Sequence, residues 1–251
     1  MREGGVKSAQ RAMELLEFFA EWRRPASVKE ISQSLGYPQS STSMLLQALT
    51  EAGYYEHDAR TAMYAPSVRI LLAAEWIGEQ LFSEHSMLRL MERVQAETGY
   101  TVMIGTQDGV QMRYLHVLQS TKPNAFPTKT GSLRPLFRSG AGKMLLTLLK
   151  EREIALLLRR VNATEPDPAN RLTLEEVLAE REASRRNGYA ISLGTSVKGA
   201  AALAILLPVP RGTRPMTLVI GGPKPEITGK KDELLRVLNE VLDPMRRAAG
   251  A

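Results

Sequence analysis

The stretch SVKEISQSLGYPQSSTSMLLQALTEAG, Ser27–Gly53, decides the fold of the first part of the chain. Ser27 with Glu30 three residues on is a capping box. The serine oxygen takes the N–H of the third helical residue, and the glutamate reaches back to the serine N–H. Ile31 and Leu35 form the apolar face of the short helix that follows, and Gly36 can end it in the left-handed conformation. Ser40 and Ser41 are placed to start a further helix, with Leu45, Leu46, Leu49 and Ala52 on its apolar side and Gly53 as its stop. Two short helices around a glycine-containing turn make a helix-turn-helix. Upstream, Ala12, Leu15, Leu16 and Phe19 recur at the helical interval, and Pro25 follows that helix. Downstream, YYEHD, ARTA and MYAPS read as strand, turn and strand, a hairpin that forms a wing. The same pattern also describes a plain three-helix bundle with a hairpin.

The spacing divides the remainder into a linker and a second domain. Residues 1–66 form the first domain. Residues 67–84, beginning SVRILLAAEWIGEQLFS, form an amphipathic linker helix that joins two domains or pairs with a copy of itself. From His85 to residue 251 the pattern is α/β. Met87, Leu90, Met91 and Val94 share a helix face that ends near Gly99. TVMIGT and QMRYLHVL are strands joined at Asp108-Gly109, a hairpin signal. A loop with Pro123, Pro127 and Pro135 leads to a helix expected from Gly140 to Lys150, and NATEPDPANR reads as loop. Thr173–Glu176 is a second capping box, opening a helix to about Asn187 before Gly188. YAISLG, AAALAILLPV and MTLVIGG are strands, the second apolar enough to be central. A last helix is expected over Lys230–Ala248. The fold class is therefore α+β in two domains.

Composition bounds the function. The 251 residues carry a formal charge of +6 and include no Cys, which excludes disulfides and thiolate chemistry and fits a reducing cytoplasm. No apolar run is long enough for a membrane span, and Met1–Gln10 has no signal-peptide pattern. The basic excess is in the wrong place for a simple polyanion binder. Residues 1–75 hold 8 Lys/Arg against 9 Asp/Glu, and residues 76–251 hold 25 against 18. DNA binding by the first part must therefore rest on local basic spots.

FRSGAGKMLL, Phe137–Leu146, resembles a phosphate loop but lacks two of its parts. The position five before Gly142 is Phe137 rather than Gly, and Met144 stands where the magnesium-binding hydroxyl belongs. What remains is either a helix N-terminus whose free N–H groups can seat a carboxylate, or a glycine turn for close packing. His57, His85 and His116 have no metal-ligand spacing, and no nucleophile elbow is present. No cofactor, metal or catalytic residue is expected. Gln39, Ser40, Ser41, Ser43 and Gln47 are short or amide side chains near the start of the third helix, suited to phosphates and base edges. With no Lys or Arg between Lys29 and Arg60, phosphate anchoring falls to Lys7, Arg11, Lys29 and Arg60.

Over nearly its whole length the chain resembles the IclR family of bacterial transcription regulators. VKSAQRAMELLEFF, the Ser27–Ser67 stretch, RPLFRSGAGKMLL, RRNGYAISL and LVIGGP carry the likeness. It implies an N-terminal winged helix-turn-helix and a C-terminal GAF-like effector-binding domain, with dimers or dimers of dimers. The implied partners are a double-stranded DNA operator and a small-molecule effector, a carboxylic acid. Met44 stands on the recognition helix where Arg is common. By the same likeness Gly140 and Ala141 give backbone N–H groups to the effector, preceded by Ser139 and by Phe137 in place of a His. The other pocket positions depart from the family: Ser192 for an Asp, Ala202 for a Cys, Val219 and Gly221 for two Ser. A larger, more apolar or aromatic acid fits that pocket better than a small oxoacid. The expected protein is a cytoplasmic regulator, more often a repressor. A regulator that works through protein contacts alone, and an enzyme on the α/β half, are the competing readings.

Overall fold

The computed structural model describes residues 7–81, 87–123, 125–209 and 212–250. The chain divides into two compact units, Met1–Gln80 and Leu81–Ala251. His85 lies outside the described residues.

The first unit runs α1 (Lys7–Trp22), β1 (Ala26–Ser27), α2 (Val28–Leu35), α3 (Gln39–Glu51), β2 (Tyr55–Asp58), β3 (Met63–Pro66) and α4 (Val68–Leu81). The capping box forms: Glu30 N–H donates to Ser27 Oγ at 3.3 Å, and Ser27 N–H to Glu30 Oε2 at 2.8 Å. Gly36 ends α2 at φ 69°. The third helix starts earlier than expected, at Gln39. Its cap is Pro38, held extended by its ring, whose carbonyl takes the Thr42 N–H at 3.0 Å with no side-chain cap. Ser40 and Ser41 therefore lie inside the first turn. Leu15, Phe18, Phe19, Ala26, Ile31, Leu46 and Tyr55 make the core, with Ile70 of α4 packed against it. Phe18 joins Leu15 and Phe19 because its ring meets Phe19 edge-on at 5.0 Å, whereas Ala52 caps α3 and stays exposed. The expected hairpin is present as β2 and β3, and β1 adds a third strand on β3. Its turn is tied by Asp58, which accepts the Arg60 N–H at 2.9 Å and the Thr61 hydroxyl at 2.8 Å.

The second unit runs α5 (Met87–Thr98), β4 (Thr101–Asp108), β5 (Gln111–Leu118), β6 (Leu133–Pro135), α6 (Gly140–Leu146), α7 (Glu151–Thr164), α8 (Leu174–Asn187), β7 (Ala190–Leu193), β8 (Ala200–Leu206), β9 (Met216–Pro223), α9 (Lys224–Gly229) and α10 (Lys231–Gly250). Six antiparallel strands order as β6-β5-β4-β9-β8-β7. Strand β8 is interior but not innermost; β4 and β9 hold the middle. Alternation sorts the side chains to two faces. Val102, Ile104, Leu203, Ile205, Leu218 and Ile220 pack with α5 and α10. Met103, Met112, Tyr114, Ala204 and Val219 pack with α6, α7 and α8.

Two helix expectations differ from the structure. Helix α6 stops at Leu146, and α7 takes up Glu151–Thr164, so the loop starts only after the residues NAT. Ile154 and Leu158 bury the face that draws α7 onto the core. The last helix stands as expected, as α10 over Lys231–Gly250, and a short helix that was not expected, α9, precedes it and ends at Lys230. The short strand β6 interrupts the proline-containing loop by pairing Leu133–Pro135 with Gln111–Arg113.

Candidate functional site

On α3, Gln39, Ser40, Ser43, Met44 and Gln47 are exposed on one face, and Ser41 sits half-buried at its margin. Thr42 and Leu46 turn inward. Met44 is 72% exposed, so the helix presents an apolar tip among small polar groups. Gln47 donates to Glu51 Oε1 at 3.1 Å one turn on. That carboxylate lies on the presented face, where it would oppose phosphates and orient the amide. Lys7, Lys29 and Arg60 are exposed. Arg11 is instead half-buried, its guanidinium 4.6 Å above the Tyr37 ring in the turn between α2 and α3. Arg69, which no local pattern singles out, donates to Ala52 O at 2.8 Å and lies over Tyr54. It satisfies a carbonyl at the end of α3 and fixes that end to α4.

In the second unit a cavity of about 300 Å³ opens on the sheet face that carries α6. Its floor is one row of cross-strand neighbours, Thr101, Gly221, Ala202 and Ser192, from β4, β9, β8 and β7. The four side chains are small, and that leaves the space. Met103 closes one side; a Cβ on Gly221 would lie 2.8 Å from its Cε. Tyr114 of β5 and Arg134 of β6 form a wall. Two loops cover the rest, one with Phe126, Pro127 and Thr128, the other with Ser196, Val197 and Ala200. Burial pushes the Tyr114 phenol up to about 12, with the Arg134 charge opposing. Among the described residues Ser196 Oγ is buried with no hydrogen-bond partner.

Of the residues the sequence proposed, Ser139, Ser192, Ala202 and Gly221 line this cavity. Phe137, Ala141 and Val219 lie behind it in the core. Gly140 is pressed against β8, where a Cβ would come 2.5 Å from Ala202 O, and a Cβ on Gly142 would come 1.9 Å from Leu136 O. Both glycines are thus required for close approach. The Gly142 N–H goes to Ser139 Oγ at 3.1 Å, leaving those of Gly140 and Ala141 as the first-turn donors without a partner inside the helix. Lys143 pairs with Glu180 and so joins α6 to α8 rather than reaching a phosphate. Tyr114, Phe126, Arg134 and Ser196 were invisible to motif reading, since only sheet pairing and loop closure bring them together.

A second, larger groove lies along α6 and α8, with Lys150, Arg181, Arg185 and Arg246 in its lining. Glu153, whose carboxylate accepts the Lys150 N–H at 2.8 Å, places a counter-charge at its edge. Among the described residues no cluster could hold a metal ion, and no helix is long and apolar enough to cross a membrane.

A helix-turn-helix with a wing in one unit and a walled cavity in the other define a DNA-binding transcriptional regulator. The IclR helix-turn-helix domain matches residues 8–59, and the C-terminal domain of the bacterial transcriptional regulator IclR matches residues 83–244. The chain belongs to the IclR family of transcriptional regulators. It is 24% identical over 228 residues to the HTH-type transcriptional repressor AllR of Escherichia coli (strain K12), covering 89% of this chain and 83% of that protein. With the HTH-type transcriptional regulator XynR of the same strain it shares 22% over 200 residues, 80% of this chain and 79% of that protein. The crystal structure of IclR from Thermotoga maritima superposes with a TM-score of 0.63 at 20% identity, over 98% of this chain and all of that one, a likeness of fold. The effector domain of an IclR regulator from Acinetobacter sp. ADP1 gives 0.59 at 25%, over 64% of this chain and 93% of that one. These relatives are regulators, not enzymes.

Proposed function

We propose that the chain is a ligand-responsive regulator, acting in the cytoplasm as a repressor, that lays the exposed face of α3 in the major groove of an operator. The observation that carries this is the row Gln39, Ser40, Ser43, Met44 and Gln47, exposed on a helix whose other side is locked into the core. Lys7, Lys29 and the wing's Arg60 hold phosphates, and Arg11 contributes once it leaves Tyr37. Ser41, at the margin, reaches the backbone rather than a base edge. Repression is supported by the likeness to AllR, a named repressor. The cavity is the effector site, and its small floor and apolar walls suit a small organic acid with an apolar body. A regulator acting through protein contacts alone would have no need of such a space, since open volume in a core forfeits packing. The chain acts as a homo-oligomer, a reading supported by Val68, Leu71 and Leu72, which are 59–68% exposed on α4.

Fluorescence anisotropy with an operator selected from a random pool tests the DNA face. Ser40→Ala and Gln47→Ala should weaken operator binding and narrow its margin over random DNA. Lys29→Ala should weaken both equally and lower the slope of log affinity against log salt by about one. If none of the three changes affinity, the α3 face is wrongly placed.

A further inference from the structure

Helix α3 carries one charged side chain, and its sign is wrong for DNA. Glu51 is the only Asp, Glu, Lys or Arg among Gln39–Glu51, and it is exposed. A carboxylate on a face laid against phosphates weakens binding to every sequence alike. That cost is offset only if the group improves the choice among sequences. Among the described residues its one side-chain contact is with Gln47, whose Nε2 donates to Glu51 Oε1 at 3.1 Å. The bond fixes which way the amide points. A primary amide donates at nitrogen and accepts at oxygen, and turning it over exchanges the two. Turned over, the Gln47 oxygen would face the carboxylate, acceptor against acceptor. Glu51 therefore holds the nitrogen toward itself. Nε2 keeps a second N–H, and Oε1 meets no donor among the described residues. One donor and one acceptor, in a set order, are left for a partner.

We propose that Glu51 is a positioning residue that locks the Gln47 amide to read adenine and reject guanine at one position of the operator. This rests on the reading of α3 as the helix in the major groove. There adenine presents the N7 acceptor and the N6 donor, whereas guanine presents two acceptors, N7 and O6. The locked amide gives its free N–H to adenine N7 and takes the N6–H on Oε1. Against guanine the same Oε1 meets O6, and neither atom has a proton to share. An unrestrained amide escapes that clash by turning over and donating to O6. Glu51 closes this escape, so the discrimination is built from a repulsion. Thymine offers an acceptor and a methyl group, and cytosine a donor alone. Each satisfies half of the amide whichever way it points. The carboxylate therefore governs adenine against guanine and has little bearing on adenine against a pyrimidine.

Selection of an operator from random duplex DNA with the full chain, followed by anisotropy on singly substituted duplexes, tests this. Gln47→Ala should erase the base preference at one position, and the native chain should favour adenine over guanine there by about tenfold or more. Glu51→Gln keeps the size of the side chain and can bond Gln47 in either sense. It should lower the adenine-to-guanine ratio to about threefold or less and leave the ratios against pyrimidines within about twofold. The same variant should bind random DNA more tightly, because an opposing charge is gone. Glu51→Ala should repeat both effects, and a urea midpoint equal to the native one confirms that the domain is intact. An adenine-to-guanine ratio untouched by both Glu51 variants overturns the lock. A fall of all ratios together, with a lower urea midpoint, makes Glu51 a structural residue and overturns it too. A base other than adenine at the Gln47 position overturns the reading of adenine and leaves α3 in the groove. If Gln47→Ala alters no position while Ser40→Ala does, the proposal falls and the placement of α3 stands. If neither alters any position, or no operator is selected, both fall.

Discussion

Gly142→Ala isolates what the glycines of Ser139–Lys143 do. The new methyl carbon would sit 1.9 Å from Leu136 O, 2.6 Å from its carbonyl carbon and 2.8 Å from its Cα, all backbone. Ordinary contact lies roughly 1 Å or more further out, and Leu136 is fully buried and cannot step aside freely. Alanine gains about 1 kcal/mol over glycine inside a helix. Overpacking costs ~1–3 kcal/mol, with the upper end fitting a clash against backbone. The net loss is about 2 kcal/mol. With a urea dependence of about 2 kcal/mol per molar, the midpoint of the second unit falls by about 1 M. The assay can separate the units, because both tryptophans, Trp22 and Trp76, belong to the first. Far-ultraviolet circular dichroism should show the shifted transition, and tryptophan fluorescence should show the smaller change. Gly229→Ala, with open space around its Cβ, is the control and should stay within about 0.5 kcal/mol of the native chain. A Gly142→Ala midpoint equal to or above the native one would refute the close-packing account and return these glycines to a purely ligand-binding role.

Three further outcomes follow from features of the first unit. Ser27→Ala should cost about 1 kcal/mol, read as an earlier tryptophan transition in urea, because it removes both hydroxyl contacts of the capping box. Tyr55→Phe should leave stability unchanged or raise it near neutral pH, since the buried hydroxyl has no partner among the described residues. Burial holds the Tyr55 phenol up to about 12, above the unfolded value of about 10. Its contribution is therefore complete below about pH 10 and lost as pH rises toward 12. Tyr55→Phe should abolish that part of the alkaline loss seen by tryptophan fluorescence. Finally, Leu71→Ser with Leu72→Ser should lower the mass of the assembly in sedimentation velocity; an unchanged mass removes α4 from the self-association surface.

What the sequence revealed was what neighbours along the chain decide. The boxes Ser27–Glu30 and Thr173–Glu176, and the stops Gly36 and Gly188, stand as read, because each needs only contacts within a few residues. Local reading failed where a distant partner settled the matter. Composition made Asn162–Thr164 a loop, but Ile154 and Leu158 pull that turn into α7, and Asn162 then holds Leu172 through its amide. Strand β6 exists only because Leu133–Pro135 meets β5. The cavity shows the same division. Ser139, Ser192, Ala202 and Gly221 were reached through family resemblance, whereas Arg134 and Ser196 depend on how strands and loops close. On α3 the polar face was legible from residue type, but not the Gln47–Glu51 bond or the stacking of Arg11 on Tyr37.

The floor row Thr101, Gly221, Ala202 and Ser192 has a consequence for how such a pocket changes over time. Each position belongs to a different strand, and the ladder that fixes the strands uses backbone groups alone. At Thr101, Ala202 and Ser192 a side chain can therefore change size without disturbing the register that supports its neighbours, whereas any side chain at Gly221 must first displace the end of Met103, 2.8 Å from where its Cβ would lie. The sheet supplies a constant frame whose depth is adjustable from three strands and pinned at the fourth.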